Sequence, residues 1–144
     1  MGEAYISGGN IHVQACAKDV AITGCQITHG TAAAGGNIYT YNTNLQLDAG
    51  TSLTNGISQW PTGSSFAGGG GNLFCYGGEI KINGQVTDGE ANLTGGNIEI
   101  RNATVYVQNG AVVSGGTASY DGGNINKSAV RGNCKAHSRA IRKL

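Results

Sequence analysis

Short segments in which apolar and polar residues alternate follow one another along most of the chain. The first kind of segment has its apolar or small residues at Ile11 and Val13, Ile38 and Thr40, Leu73 and Cys75, and Ile98 and Ile100. A second kind follows each of these, at Val20 and Ile22, Leu45 and Leu47, Ile80 and Ile82, and Val105 and Val107. Because side chains along a strand point alternately to opposite faces, this pattern predicts short β-strands that each bury one face.

The strands belong to a repeat that is marked by the tripeptide Gly-Gly-Asn followed by Ile or Leu. It occurs five times, at intervals of 27, 35, 25 and 27 residues. Each interval also holds a third short strand, centred on Ile27, Leu53, Val86 and Val112. No single repeat can bury its own apolar face, so the repeats must stack as rungs whose parallel strands lie about 4.8 Å apart. The sequence therefore predicts an all-β, right-handed parallel β-helix (β-solenoid) with three short strands per rung and about four to five rungs.

The asparagine of each repeat is predicted to belong to a structural ladder. A side-chain amide can donate a hydrogen bond to the equivalent amide one rung away, so that both groups are satisfied along the axis. The glycine pair before it would allow the positive φ that a sharp corner requires. The ladder comprises Asn10, Asn37, Asn72, Asn97 and Asn124.

Composition supports a folded repeat domain over other glycine-rich classes. The chain has 26 glycines and one proline, without the glycine at every third residue that collagen requires. Its hydrophobic residues make up 39% of the chain and recur periodically, which a disordered linker does not show. No apolar run reaches the ~20 residues that cross a bilayer, so no membrane span is expected. The first residues also lack the basic start and apolar stretch of a signal peptide.

Charge divides the chain at residue 126. Residues 1–126, the predicted β-helix domain, hold eight acids and three bases, whereas residues 127–144 hold six bases and no acid. In this basic segment Ala136, Ala140 and Ile141 recur at roughly helical spacing, which predicts either a short capping helix over an open rung or a tail. The segment has no interleaved aromatic residues, so no nucleic-acid partner is expected.

Aromatic residues concentrate on the predicted outward face of the first strand. Tyr39 and Tyr41 fall on one rung and Phe74 and Tyr76 on the next, and the longest interval inserts a loop with Trp60 and Phe66 directly before Phe74. Flat aromatic faces with polar edges suit sugar rings or a hydrophobic protein partner. In the alternative interpretation Trp60 and Phe66 fold down and cover the tyrosines, which forms a structural cluster without a ligand. The candidate ligand-binding residues are Tyr39, Tyr41, Trp60, Phe66, Phe74 and Tyr76.

The sequence gives little support for catalysis. The acids are dispersed over different turns, whereas glycoside hydrolysis needs two clustered carboxyl groups. Glu99 and Arg101 project from the same side of one strand and are expected to form an exposed ion pair. The histidines have no predictable carboxylate or cysteine partner. We therefore expect no catalytic residue, no metal site and no cofactor, and a threonine column at Thr28, Thr54 and Thr87 leaves ice binding as a minor alternative.

The Gly-Gly-x-Ile rungs resemble the right-handed β-helix repeats of bacterial surface and secreted proteins, including adhesin-like arrays, and more distantly the pectate-lyase-like superfamily. The resemblance covers residues 5–126, and residues 5–7 look like the end of a preceding rung. It implies a non-catalytic module, secreted or at the cell surface, that binds glycan or a protein partner through its aromatic face. The alternatives are a structural spacer or truncated fragment, open to end-to-end self-association, and a degenerate polysaccharide lyase or hydrolase.

Overall fold

The computed structural model describes residues 2–61 and 68–128 in full, and the backbone of residues 135–138. The chain folds as a parallel β-solenoid of about four turns, and the described residues include no helix. Its strands form four parallel sheets, each of which collects the equivalent strand from successive rungs. The predicted all-β solenoid is therefore confirmed.

Five strands form the first sheet: β1 (Ile11–Gln14), β5 (Ile38–Tyr41), β9 (Leu73–Tyr76), β13 (Ile98–Arg101) and β17 (Ile125–Ser128). The second sheet contains β2 (Val20–Ile22), β6 (Leu45–Leu47), β10 (Glu79–Ile82), β14 (Thr104–Val107) and β18 (Lys135–Ser138). The third contains β3 (Gln26–Thr28), β7 (Ser52–Thr54), β11 (Gln85–Thr87) and β15 (Val112–Ser114). The fourth contains β4 (Thr31–Ala32), β8 (Ile57–Ser58), β12 (Glu90–Ala91) and β16 (Thr117–Ala118).

Each of the first four rungs thus has four strands where the sequence predicts three. The strands of the fourth sheet are two residues long, which is too short for an alternating pattern to be visible in the sequence. The prediction of a capping helix is wrong for residues 135–138, because β18 pairs in parallel with β14. Strand β17 also continues the first sheet past residue 126. The rest of the basic segment, 129–134 and 139–144, lies outside the described residues.

The inward-facing side chains form one continuous core. The inward columns predicted for the first and second sheets are correct. In the first sheet Ile38, Leu73 and Ile98 are stacked in register and fully buried. Cys75 is also fully buried in this core, as predicted. The first rung is only partly buried, so that Ile11 packs against the core from an open end.

One inward residue was predicted one position too early. The pattern placed Val112 inside, whereas Val113 pairs with Val86 and is buried, and Val112 is exposed. The amide of Val112 donates to the carbonyl of Gly84, which aligns Gly84 with Ala111. The chain before β15 contains a tight turn that ends at Ala111, and the third rung lacks this turn before β11. Counting residues from the glycine that precedes each strand therefore assigns Val112 to the wrong face.

The predicted asparagine ladder runs through all five rungs. The Nδ2 group of each asparagine donates to the Oδ1 atom of the next, at 2.7, 2.6, 2.7 and 2.8 Å from Asn10 to Asn124. The second N–H of Asn72 donates to the carbonyl of Thr87 at 2.8 Å, and its Oδ1 also accepts from the amide of Gly56 at 3.0 Å. Each buried amide therefore has four hydrogen bonds, which satisfies it completely.

Glycine before the asparagine is required by the backbone. Gly35 has a φ of 63°, and a Cβ atom there would lie 2.1 Å from the carbonyl oxygen of Ile38. The following Gly36 has no room for a different reason, since its Cβ would meet the carbonyl of Gly71 one rung away at 2.3 Å or less. The same first-glycine conformation recurs at Gly8, Gly70, Gly95 and Gly122. The repeat motif is thus a corner that only glycine can form.

The ladder predicts a gradient of stability along the solenoid. Asn72→Ala leaves the amide of Gly56 and one N–H of Asn37 without partners in the dry interior, and we expect a loss of about 3 kcal/mol in the free energy of unfolding. Asn10→Ala, at the exposed end, should lose about 1 kcal/mol or less. Urea unfolding of both variants measures the difference. Equal losses would show that the central amide has no special role.

Candidate functional site

The outward face of the first sheet carries two columns of aromatic rings, as predicted. The rings of Tyr39 and Phe74 are stacked with their centroids 5.1 Å apart, and those of Tyr41 and Tyr76 are 5.2 Å apart. His12 continues the first column, 4.9 Å from Tyr39. The pairing of β5 with β9 is in register, so equivalent side chains lie directly above one another. The repeat thereby converts a sequence pattern into a rigid aromatic wall.

Trp60 stands at the edge of this wall, where a distant asparagine holds it. The backbone N–H of Trp60 donates to Oδ1 of Asn92 at 2.8 Å, and Nδ2 of Asn92 donates to the carbonyl of Trp60 at 2.9 Å. The indole packs on Gly68, where a Cβ atom would meet it at 2.5 Å. The ring is half-buried, so it keeps an accessible surface.

Together these side chains line a cleft of about 190 Å³. It brings five of the six predicted binding residues together; the sixth, Phe66, lies outside the described residues. The cleft is smaller than the ~300–1,000 Å³ of sites for drug-sized ligands, so its volume corresponds to one ring. Its lining residues are Ile6, Ser7, Ala34, Tyr39, Tyr41, Trp60, Phe74, Tyr76 and Arg101.

The predicted exposed ion pair of Glu99 and Arg101 is buried. Glu99 is 0% exposed and Arg101 is 8% exposed, with 3.1 Å between Nε of Arg101 and Oε1 of Glu99. The carboxylate also accepts from the hydroxyls of Thr94 at 2.8 Å and Ser128 at 3.0 Å, and from the amide of Asn126 at 2.9 Å. Two donors on each oxygen replace the water that burial removes, which explains how a charge can lie there.

Arg101 also forms part of the cleft. Its Cζ atom lies over the ring of Phe74, 5.1 Å from the centroid, which is a favourable cation–π distance. Within the described part of the chain, Nε makes its one hydrogen bond, to Glu99, and the two terminal nitrogens have no hydrogen-bond partner. Arg101 is also the one charged residue among the described residues that line the cleft.

Tyr39 is the tyrosine whose ionisation the site changes most clearly. Burial raises the pKa of the Tyr39 hydroxyl above its ordinary value of 10.0, and the neighbouring Tyr41 hydroxyl raises it further. The positive charge of Arg101 acts in the opposite direction and does not cancel these effects. The Tyr39 hydroxyl therefore stays neutral at physiological pH, as a hydrogen-bonding group at the edge of an apolar surface.

His12 has partners that the sequence did not indicate. Its Nδ1 atom lies 2.8 Å from the hydroxyl of Ser7, and its Nε2 atom lies 3.2 Å from Oε1 of Gln14. Ser7 lines the cleft, so this chain of three groups stands at its rim. The third group is a neutral amide, however, which lacks the negative charge that stabilises the imidazolium in a catalytic triad.

The remaining surfaces offer less chemistry. In the described part of the chain, no group of three His, Cys, Asp or Glu side chains is placed to hold a metal ion, and no helix there is long and apolar enough to cross a membrane. The threonine column of the third sheet continues with Ser114 in the fourth rung. Cys16 and Cys25 are exposed free thiols.

Sequence reasoning did not assign five residues to the site: the lining residues Ile6, Ser7, Ala34 and Arg101, and Asn92 behind Trp60. Asn92 contacts Trp60 across 32 residues of chain, and no spacing within the repeat signals this contact. Arg101 was placed correctly on the outward face, but its burial depends on neighbours from other rungs. No family model, curated protein or solved structure matches the chain.

The buried pair predicts a strong dependence of stability on Glu99. Glu99→Ala would leave the Arg101 charge buried without its counter-ion, and we expect a loss of about 3–5 kcal/mol in the free energy of unfolding. The matched control is Glu79→Ala, which breaks the exposed pair of Glu79 with Lys81, where the side chains are 44% and 46% exposed. That variant should change stability by less than about 1 kcal/mol. Similar losses in both variants, measured by urea unfolding, would contradict the role assigned to Glu99.

The raised pKa of Tyr39 predicts that part of the folding stability is lost at alkaline pH. Its folded-state pKa lies above the unfolded value of 10.0, so its stabilising contribution is complete below that pH and is lost as pH rises through the folded-state pKa. Absorbance titration should show one tyrosinate that forms at higher pH in the folded chain than after unfolding. Tyr39→Phe should remove that component and reduce the alkaline loss of stability, whereas Tyr120→Phe should leave it. A component that persists in Tyr39→Phe would contradict the assignment.

Proposed function

We propose that this chain is a non-catalytic solenoid module that binds a glycan, with one sugar ring in the aromatic cleft. The observation that carries the proposal is the combination of stacked Tyr39–Phe74 and Tyr41–Tyr76 pairs with a half-buried Trp60 beside them. Carbohydrate rings present apolar C–H faces and polar edges, and aromatic side chains that carry a hydroxyl group complement both.

Rigidity of the wall supports the same function. The rings stand on paired strands, so binding does not require them to be ordered from a flexible state, which lowers the entropic cost of association. The volume of about 190 Å³ accepts one ring at a time. A polymer could continue past the cleft along the outer face of the sheet, where Gln14 and His12 offer polar contacts.

The exposure of the cleft argues against the purely structural alternative. If the aromatic residues existed only to cover one another, Trp60 would be fully buried against the tyrosines. Instead Trp60, Tyr39, Tyr41 and Tyr76 are each only partly buried. Partly exposed aromatic rings that line a cleft can contact a ligand with apolar faces.

The arrangement of carboxylates favours binding over cleavage. The carboxylate nearest the cleft among the described residues, Glu99, is fully buried, and both of its oxygens are occupied by two donors each. A general acid or base needs access to the proton that it transfers. The secreted or cell-surface location, a protein partner at this face and end-to-end self-association remain predictions.

Trp60 is the only tryptophan of the chain, so its fluorescence tests the proposal directly. We expect a saturable spectral shift with at least one member of a panel of cello-, chito- and manno-oligosaccharides and an oligomeric uronan. Tyr39→Ala, which removes one ring of the aromatic wall, should weaken that binding about tenfold. Asn92→Ala, which frees the backbone of Trp60, should weaken it as well.

The matched control is Tyr120→Ala. Tyr120 is 74% exposed and is not among the residues of the cleft, so this variant should bind as the wild type does. A spectrum that no oligosaccharide in the panel changes would refute glycan binding and favour the structural spacer.

A further inference from the structure

Arg101 has N–H donors that make no hydrogen bond within the described part of the chain. A guanidinium group carries five N–H donors, and in the described structure Nε alone is hydrogen-bonded, to Glu99. The side chain is about nine-tenths buried, yet it contributes to the lining of the cleft. Its terminal nitrogens are not among the fully buried polar atoms of the described residues that lack a partner, so they reach solvent and are accessible to a ligand.

The geometry around Arg101 defines what those nitrogens can bind. Glu99 holds the Nε side of the group, and Phe74 covers one face of its plane at 5.1 Å. The edge that carries the two terminal nitrogens is left, and this edge matches the two oxygens of a carboxylate. An arginine fixed on two sides is already oriented, so little rotamer freedom is lost when an anion binds.

The electrostatics of the cleft suit an anion of this kind. The described lining residues include no acid, and Arg101 carries their one charge. The negative charge of Glu99 is compensated by four donors, of which Arg101 is one. The apolar rings beside Arg101 lower the local dielectric constant, which strengthens a charge-assisted hydrogen bond relative to one at a fully exposed surface.

We propose that the sugar bound in the aromatic cleft is a uronic acid, whose ring packs against the aromatic wall and whose carboxylate pairs with the terminal nitrogens of Arg101. This inference rests on the proposed glycan binding and specifies its substrate class. The ring supplies apolar contact area, and the carboxylate supplies selectivity over neutral sugars. A sugar with a hydroxymethyl group in place of the carboxylate would leave the terminal nitrogens without an anionic partner.

The test compares ligands that differ only in the carboxylate. Short cellouronate and cello-oligosaccharides share one β-linked backbone, and methyl-esterified cellouronate keeps the carbon skeleton but removes the charge. Titrated against Trp60 fluorescence at about 0.15 M salt, which limits long-range attraction to the basic C-terminal segment, wild-type protein should bind cellouronate about tenfold to a hundredfold more tightly than either neutral form.

Variants assign that preference to Arg101. Glu99→Gln/Arg101→Gln removes both charges of the buried pair, so that neither is left alone, and should reduce the ratio of affinities to about one. Arg101→Lys keeps the charge but loses the planar fork, and should reduce the ratio partially. Far-ultraviolet circular dichroism checks that each variant is folded, and the ester comparison on wild-type protein needs no variant.

The outcomes separate the two proposals. Equal binding of charged and neutral oligomers by the wild type would overturn the carboxylate site and leave glycan binding intact. A preference that survives in the folded double variant would also overturn it, because the attraction would then come from elsewhere on the chain. If no oligosaccharide binds at all, glycan binding itself fails, and the assignment of Arg101 fails with it.

Discussion

The hydrogen-bonded ladder of asparagine amides is the interaction on which the rest of this solenoid depends. Each central amide lies in a dry corner, so it must find all of its partners within the protein. It finds two in adjacent amides and two in the backbone of the third-sheet corner, at distances between 2.6 and 3.0 Å around Asn72. Since the asparagine directly precedes the first strand, the ladder also sets the register of the first sheet. Packing of the inward columns follows from that register.

The ladder fixes the register at the asparagine corner, whereas the length of the loop that precedes this corner can vary. The interval between Asn37 and Asn72 is 35 residues, yet their amides meet at 2.6 Å, as closely as in the shorter intervals. The additional residues are accommodated in the loop that contains Trp60, between the fourth sheet and the next glycine corner. Variation in such a loop does not disturb the core, and binding residues are commonly found on loops that a rigid scaffold positions. The cleft follows this division, with a wall on the sheet and an edge on the loop.

The buried Glu99–Arg101 pair shows how a solenoid can place charge beneath a binding surface. Two charged side chains on the outward face would normally be solvated, but here Asn126 and Ser128 of the next rung and Thr94 of the preceding turn supply partners for Glu99. The Glu99 carboxylate accepts hydrogen bonds on both oxygens, whereas the terminal nitrogens of Arg101 have no hydrogen-bond partner in the described part of the chain. This asymmetry is what distinguishes the cleft from an aromatic cluster that serves only packing, and it links the stability of the fourth rung to the chemistry of the site.

The sequence by itself determined the solenoid, the ladder, the inward columns of the first two sheets and the aromatic columns of the first. These features repeat, and stacking places equivalent residues of every rung side by side whatever the details of their surroundings. Only the tertiary structure decided the fourth strand, the inward position of Val113, the clamp of Asn92 on Trp60 and the burial of Glu99 with Arg101. The fourth strand recurs in four rungs, but at two residues it is too short to show an alternating pattern, and the other three features do not repeat from rung to rung. These features depend on contacts between particular side chains or turns in the folded chain. Such contacts produce no repeating pattern in the local sequence, so they cannot be predicted from it.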